Sequence, residues 1–288
     1  MTNRQINSVG IIVKPNNEEA WKTACEVSEW FKSRGVTPIG KPHCEAEISG
    51  PNPRDIKTFA VAADLIVVLG GDGTMISAAR MTGNGQTLVL GVNYGSLGYL
   101  TEFRIEEIYE ALELILKGDY KVDQRVMLDA EHWRGEELLA SGRVLNDVVI
   151  NKAALARIIE IEVELNDQHV NSFRADGLIV ATPTGSTAYN LSAGGPIVYP
   201  SMNAVVLTPI CPFTLTNRPI VMPDDAEISL KLLNRNEGVV LTLDGQIGYE
   251  MEAKDVVKIR KSETSFNLVQ PTNRNYFDVL RNKLKWGR

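Results

Sequence analysis

Cysteine is nearly absent from this 288-residue chain: Cys25, Cys44 and Cys211 stand alone. An odd count without paired spacing excludes a disulfide framework and a cysteine zinc site, and it fits a reducing compartment. Histidine is equally sparse. His43, His132 and His169 are scattered, which argues against a histidine-built metal centre. Excess positive charge is lacking too. Lys and Arg number 30 against 36 Asp and Glu, a net charge of −6, so the basic face that nucleic acids select is not expected. No apolar run approaches the roughly 18 residues that cross a bilayer, and the first seven residues lack a signal peptide's apolar core. The expectation is a soluble cytoplasmic protein with neither nucleic acid nor membrane as partner.

Hydrophobic residues make up 44% of the chain, enough for a real core. The length fits one large domain or two ordinary ones. Strand and helix alternate in the first third. Residues 9–13 (VGIIV), 36–39, 65–69 and 88–92 read as strands. Ala20, Ala24, Val27 and Phe31 recur at helical spacing behind Asn16 or Asn17 as cap, and Gly35 stops that helix. A second helix is expected over 74–81. A third, marked by Ile105, Ile108, Leu112 and Ile115, ends at Gly118. The proline-bearing stretch 41–53 reads as a loop. Alternation of this kind predicts a parallel sheet with helices on its faces.

The pattern changes near residue 120. In residues 157–165, Ile159, Ile161, Val163 and Leu165 face one side while Glu160, Glu162 and Glu164 face the other, a half-buried antiparallel strand. Asn166-Asp167 turns it into a hairpin. Strands are expected at 227–233, 239–243, 256–260 and 266–269, and a helix over 273–286. The chain therefore reads as an α/β domain over 1–120, rejoined by the tail 271–288, and a β-rich domain over 121–270.

The stretch VVLGGDGTM, residues 67–75, carries the first chemical signal. Glycine permits unusual backbone angles and lets another group come close. A turn leaving a strand and opening a helix points N–H groups outward at a positive helix end, which suits phosphate. Gly70, Gly71, Gly73 and Thr74 are the expected phosphate-donor loop. No lysine follows, so this is not a Walker loop, and the dinucleotide fingerprint is absent. Asp72 would repel phosphate unless it acts on a hydroxyl or holds a cation, which suits a kinase. Residues 182–196 (TPTGSTAYNLSAGGP) crowd hydroxyls and small residues, which fit a ribose and a pyrophosphate, while Tyr189 can lie against a flat ring. Asn146-Asp147 sits at a strand edge and also fits an Asx turn. Asp244-Gly245 is a hairpin signal. Arg174 and Asp176 fit a surface ion pair equally well.

Taken in order, Gly70-Gly71-Asp72-Gly73-Thr74, Asn146-Asp147, Arg174-Ala175-Asp176-Gly177 and residues 182–197 resemble the NAD kinase family, over nearly the whole chain. The resemblance implies a Rossmann-like α/β domain, a β-sandwich-like domain and a terminal helix returning to the first. It implies transfer of the γ-phosphoryl of ATP to the adenosine 2′-hydroxyl of NAD, yielding NADP. Asp72 matches the proposed proton acceptor. Gly73, Asn146, Asp147, Asp176 and the run Thr187, Ala188, Tyr189, Asn190, Leu191 and Ser192 match NAD-contacting positions, as do Arg157, Arg174 and Gln246. Asp147 stands where many members carry glutamate. A divalent cation, usually magnesium, and a homodimer or homotetramer are further implications. The rival readings are a lipid kinase sharing the Gly-Gly-Asp-Gly loop and a dinucleotide sensor without turnover.

Overall fold

The computed structural model describes residues 5–39, 43–44, 63–82, 85–95, 98–153, 157–234 and 238–287. Of the expected loop 41–53, all but His43–Cys44 lies outside the described residues, as do Ser96 and Leu97. The chain divides into two compact units. One joins residues 1–124 to 266–288, and the other spans 125–265.

In the first unit the strands Thr37–Pro38, Ser8–Val13, Leu65–Leu69, Leu88–Asn93, Phe266–Gln270 and Lys121–Arg125 lie in that order. Ser8–Val13, Leu65–Leu69 and Leu88–Asn93 run parallel. Their near-continuous apolar sequences reflect burial along their length, as in sheets covered on both faces. The helix Glu18–Lys32 buries Ala20, Ala24, Val27 and Phe31, the residues its spacing singled out, and the Asn17 side chain accepts from the Ala20 N–H at its start. Those side chains join Ile11, Val67 and Leu90 of the sheet and Leu112 of the helix Ile108–Lys117 in one core. Gly118, at φ 77°, closes that helix with the left-handed residue a helix end favours.

The strand Phe266–Gln270 corrects an expectation. It does not continue the antiparallel series; it runs parallel beside Leu88–Asn93. The terminal helix Tyr276–Leu284 follows it within the first unit, capped by Asn275 and burying Val279 and Leu280.

The second unit is a sandwich of two antiparallel sheets. One runs Ile220–Pro223, Ala204–Ile210, Gly177–Ala181, Asp147–Lys152, Val239–Leu243, Ile247–Met251; the other runs Gln168–Ala175, Ile159–Leu165, Ile228–Leu232, Val256–Lys261, Leu128–Arg134, Glu137–Val144. Ile159, Ile161 and Val163 meet Val148, Ile150, Leu178 and Val180 between the sheets. Asn166 and Asp167, at φ 49° and 62°, form the tight turn their sequence predicts. Gly177–Ala181 is buried on both faces, because Val149, Ile179, Ala181 and Val198 form a second core outside the sandwich. That outer core anchors the loop at 182–198.

Candidate active site

The strand Leu65–Leu69 ends at the carboxyl edge of parallel neighbours, where α/β folds bind ligands. Gly70 N–H donates to the Val92 carbonyl at 3.0 Å. A Cβ on Gly70 would stand 2.5 Å from Thr74 Oγ1, whereas one on Gly71 would meet nothing within 4 Å among the described residues. None of Gly70, Gly71 and Gly73 has a positive φ. Glycine is therefore used here for close packing and for open access, not for left-handed backbone. The helix begins at Asp72, two residues before the expected Thr74, with Gly71 as its cap. Gly91, where a Cβ would strike Met75 Sδ at 2.8 Å, lets this helix settle on the neighbouring strand. The positive end of the helix thus faces the exposed Gly73 and half-buried Gly71, an arrangement that accepts phosphate.

Among the described residues, the Asp72 carboxylate bonds across to residues 99–101. Its Oδ1 accepts from the N–H groups of Leu100 and Thr101, at 3.0 and 3.2 Å, and from Thr101 Oγ1 at 3.2 Å. Oδ2 accepts from Tyr99 N–H at 2.8 Å. Thr101 Oγ1 is itself fixed by Asn93 Nδ2 at 2.9 Å. A carboxylate offers about four lone-pair positions, so among the described residues Oδ2 keeps the capacity for another partner. The side chain is half-buried and held in one orientation by backbone donors. Burial, then the Asp72 charge, pushes the Tyr99 phenol above its usual range.

In the second unit the Asp-Gly hairpin does more than turn. Asp244 and Gly245, at φ 53° and 63°, sit between Val239–Leu243 and Ile247–Met251. The Asp244 carboxylate accepts from the N–H groups of Leu145, Asn146 and Asp147 at 3.1, 2.7 and 3.2 Å. This bridge shapes the turn that presents Asn146 and Asp147. The Asn146 carbonyl accepts from Thr182 N–H at 2.8 Å. A Cβ on Gly185 would lie 2.1 Å from that same carbonyl oxygen, so only glycine lets the 182–197 loop close down on Asn146. Asp147 is 4% exposed, and burial first, then the nearby Asp244, raises its carboxyl to about 7.

The loop is built from its own hydroxyls and amides. Ser186 Oγ donates to the Pro183 carbonyl at 2.6 Å and accepts from Val198 N–H at 3.0 Å. Asn190 is fully buried. Its amide donates to the Ser186 and Pro196 carbonyls and accepts from Thr208 Oγ1 at 2.6 Å. Both of its amide N–H groups are therefore engaged within the loop. Tyr189 is 40% exposed and Ser192 is exposed, while Thr187, Ala188 and Leu191 are half-buried. Thr187 Oγ1 donates to the Thr184 carbonyl at 3.2 Å.

Arg174 is exposed and stacks over the Phe213 ring at 4.8 Å. Asp176 finds its cation elsewhere: Lys152 Nζ stands 3.5 Å from Asp176 Oδ1. Lys152 has no local signature in the sequence, and Asp244 reads there only as a hairpin residue. Arg157 and Gln246 lie exposed in the second unit. Gly70, Gly71, Asp72, Gly73 and Thr74 are together in the first unit, and Asn146, Asp147 and the 182–197 loop are together in the second.

A helix-opening glycine turn beside a fixed carboxylate, on the α/β unit, is an arrangement suited to phosphoryl transfer. Family models for the ATP-NAD kinase N-terminal and C-terminal domains match residues 9–120 and 145–271. NAD kinase of Geotalea daltonii is 49% identical over 282 residues, 98% of this chain and 99% of that one. NAD kinase of Geobacter sulfurreducens is 48% identical over 282 residues, with the same coverage. The chain belongs to the NAD kinase family, and its activity is ATP-dependent phosphorylation of NAD. Two solved structures share the fold at 24% identity. Yeast NADH kinase complexed with NADH has a TM-score of 0.84 over 99% of this chain and 89% of its own. An NAD kinase from Archaeoglobus fulgidus in complex with ATP has a TM-score of 0.72 over 96% and 98%.

Proposed function

We propose that Asp72 takes the proton of the adenosine 2′-hydroxyl of NAD as that oxygen attacks the γ-phosphorus of ATP. One oxygen–phosphorus bond forms, the bond to the ADP oxygen breaks, and NADP and ADP leave. The observation that carries this reading is the Asp72 carboxylate pinned by three backbone N–H groups and the Thr101 hydroxyl. A carboxylate is a weak base for an alcohol. Fixed alignment is what it contributes, and phosphoryl transfer depends mostly on positioning and charge stabilisation. The open turn from Gly71 to Gly73 is the cradle for the donor's phosphates. The test offers the enzyme ATP, magnesium and either NAD or its 2′-deoxyadenosine analogue. NAD should yield NADP and the analogue should not react; phosphorylation of the analogue would overturn the assignment.

On this reading NAD is bound by Asp72, Gly73, Asn146, Asp147, Asp176, Thr187, Ala188, Tyr189, Asn190, Leu191, Ser192, Arg157, Arg174 and Gln246. The working units are the α/β unit with its returning tail and the β-sandwich. Among the described residues no three His, Cys, Asp or Glu side chains converge as a metal cage. Magnesium prefers substrate phosphates plus one or two carboxylates. Asp72 is the carboxylate that would share it, and the ion would supply charge neutralisation on the phosphates.

A homodimer or homotetramer is supported by exposed apolar side chains around the outer strand Ile220–Pro223, including Phe213 at 61%, Leu215 at 88% and Val221 at 50% exposure. Sedimentation that finds a fully active monomer would refute it. A cytoplasmic setting is supported by the exposed thiols of Cys25 and Cys211, which a reducing compartment preserves.

A further inference from the structure

The segment that grips Asp72 is itself gripped from the far end of the chain. Tyr99, Leu100 and Thr101 supply the backbone donors, and the next residue, Glu102, is 3% exposed. Arg274 Nη1 donates to the Glu102 carbonyl at 2.5 Å, and Gln270 Nε2 donates to Glu102 Oε1 at 2.9 Å. Arg274 also pairs through Nη2 with the Glu107 carboxylate. Burial pushes the Glu107 carboxyl up, but Arg274 and the Arg104 N–H outweigh it and hold the group below its usual range. The guanidinium therefore joins two anchors, the Glu102 carbonyl and the Glu107 carboxylate, by charge-assisted bonds. Farther along the tail, Lys283 Nζ stands 6.0 Å from the centre of the Tyr99 ring.

We propose that Arg274 and Gln270 are positioning residues for the Asp72 carboxylate, acting through residues 99–102. They touch neither substrate nor Asp72. Arg274 fixes the Glu102 carbonyl and Gln270 its side chain, and together they fix the three N–H groups immediately before it. If that segment relaxes, the carboxylate turns with its donors and loses its line to the hydroxyl. Misplacement by about 1 Å costs roughly a hundredfold in rate. This inference rests on the reading that Asp72 acts on the 2′-hydroxyl.

The test is a double-mutant cycle in kcat, with circular dichroism as the check on folding. Arg274→Ala should lower kcat roughly tenfold to a hundredfold, with the KM for NAD within about twofold. Gln270→Ala, which removes one bond, should fall in the same direction by less. In an Asp72→Asn background, neither change should lower kcat further, because the group they position is no longer a base. If both single variants keep wild-type kcat while Asp72→Asn does not, the positioning role is overturned and the role of Asp72 stands. Effects that multiply in the double variants also overturn it, since Arg274 would then act independently. If Asp72→Asn keeps wild-type turnover, the reading of Asp72 fails and the inference falls with it. Should Arg274→Ala not fold, Gln270→Ala carries the same comparison.

Discussion

A Cβ added to Gly98 would lie 2.0 Å from Oδ1 of Asp72 and 2.4 Å from Thr101 Oγ1. Those contacts are well inside van der Waals separation, and the carboxylate is the part able to swing away. Gly98→Ala should therefore displace the Asp72 side chain while leaving the sheet intact. Turnover should fall roughly a hundredfold, with the melting temperature moved by a few degrees at most. Steady-state kinetics beside a thermal melt will check this; a Gly98→Ala enzyme with wild-type kcat would show that the close packing has no bearing on catalysis.

Asp72→Asn tests the carboxylate itself. The helix-cap explanation predicts little change, because Asn caps about as well as Asp. The structure removes that explanation, since Gly71 is the cap and Asp72 bonds across to residues 99–101. An amide also turns a donor toward either the Tyr99 N–H or the Leu100 and Thr101 pair. We expect kcat to drop roughly a hundredfold to ten-thousandfold, with a much smaller change in NAD affinity measured by calorimetry.

Asp147 makes stability depend on pH. Burial and Asp244 raise its carboxyl to about 7 from an ordinary value of 3.8. The folded state then holds a proton that the unfolded chain has released, so this contribution is complete below 3.8 and is lost as pH rises to about 7. Asp147→Asn cannot ionise and lacks that slope. Relative to wild type it should gain on the order of a few kcal/mol between pH 4 and pH 8, read from urea unfolding at both pH values. A constant difference between the two proteins would refute the assignment.

Asp255 is the opposite case. It is fully buried and accepts from Arg134 Nε and Nη2, from Glu252 N–H and, in the neutral or charged ring, from His132 Nε2 at 2.9 Å. Burial pushes its carboxyl up, but these donors hold it below the usual carboxylate range. Asp255→Ala leaves the buried His132 ring without its partner, while the part-exposed Arg134 keeps Glu252 at 2.9 Å, and should cost about 1–3 kcal/mol. The wild-type advantage should be full above the ordinary carboxylate pKa of about 4 and shrink in stronger acid, as the folded carboxyl finally protonates. Urea unfolding of both proteins across that range will check it.

Much of this was legible before any coordinates, and the reasons are local. Leu65–Leu69 is apolar at every position and buried at every position. The helix Glu18–Lys32 buries the residues its 3.6-residue spacing selects. Glycine-rich chemistry around Asp72 and the density of hydroxyls at 182–197 also announced themselves. What stayed hidden depends on distant backbone. The donors to Asp72 come from 27 to 29 residues away and are peptide N–H groups, which leave no side-chain signature. Asp244 reads as an ordinary hairpin residue until its partners, 97 to 99 residues earlier, are in place. Phe266–Gln270 has the same apolar style as its antiparallel predecessors, and only its neighbour reveals a parallel strand.

That returning strand also has a consequence for how the protein is made. Leu88 and Val89 gain their neighbour on that side only when Phe266–Gln270 has been synthesised, although Phe103–Arg104 pairs with Val92 and Asn93 much earlier. At the usual pace of translation, of about 5–20 residues per second, the ribosome needs roughly ten to thirty seconds to supply it after residue 93. For that interval the nascent sheet carries an apolar edge, while the strands of the sandwich are made within it, the last of them, Val256–Lys261, just before Phe266. The order of completion is thus the reverse of the order of birth: the segment translated first finishes last.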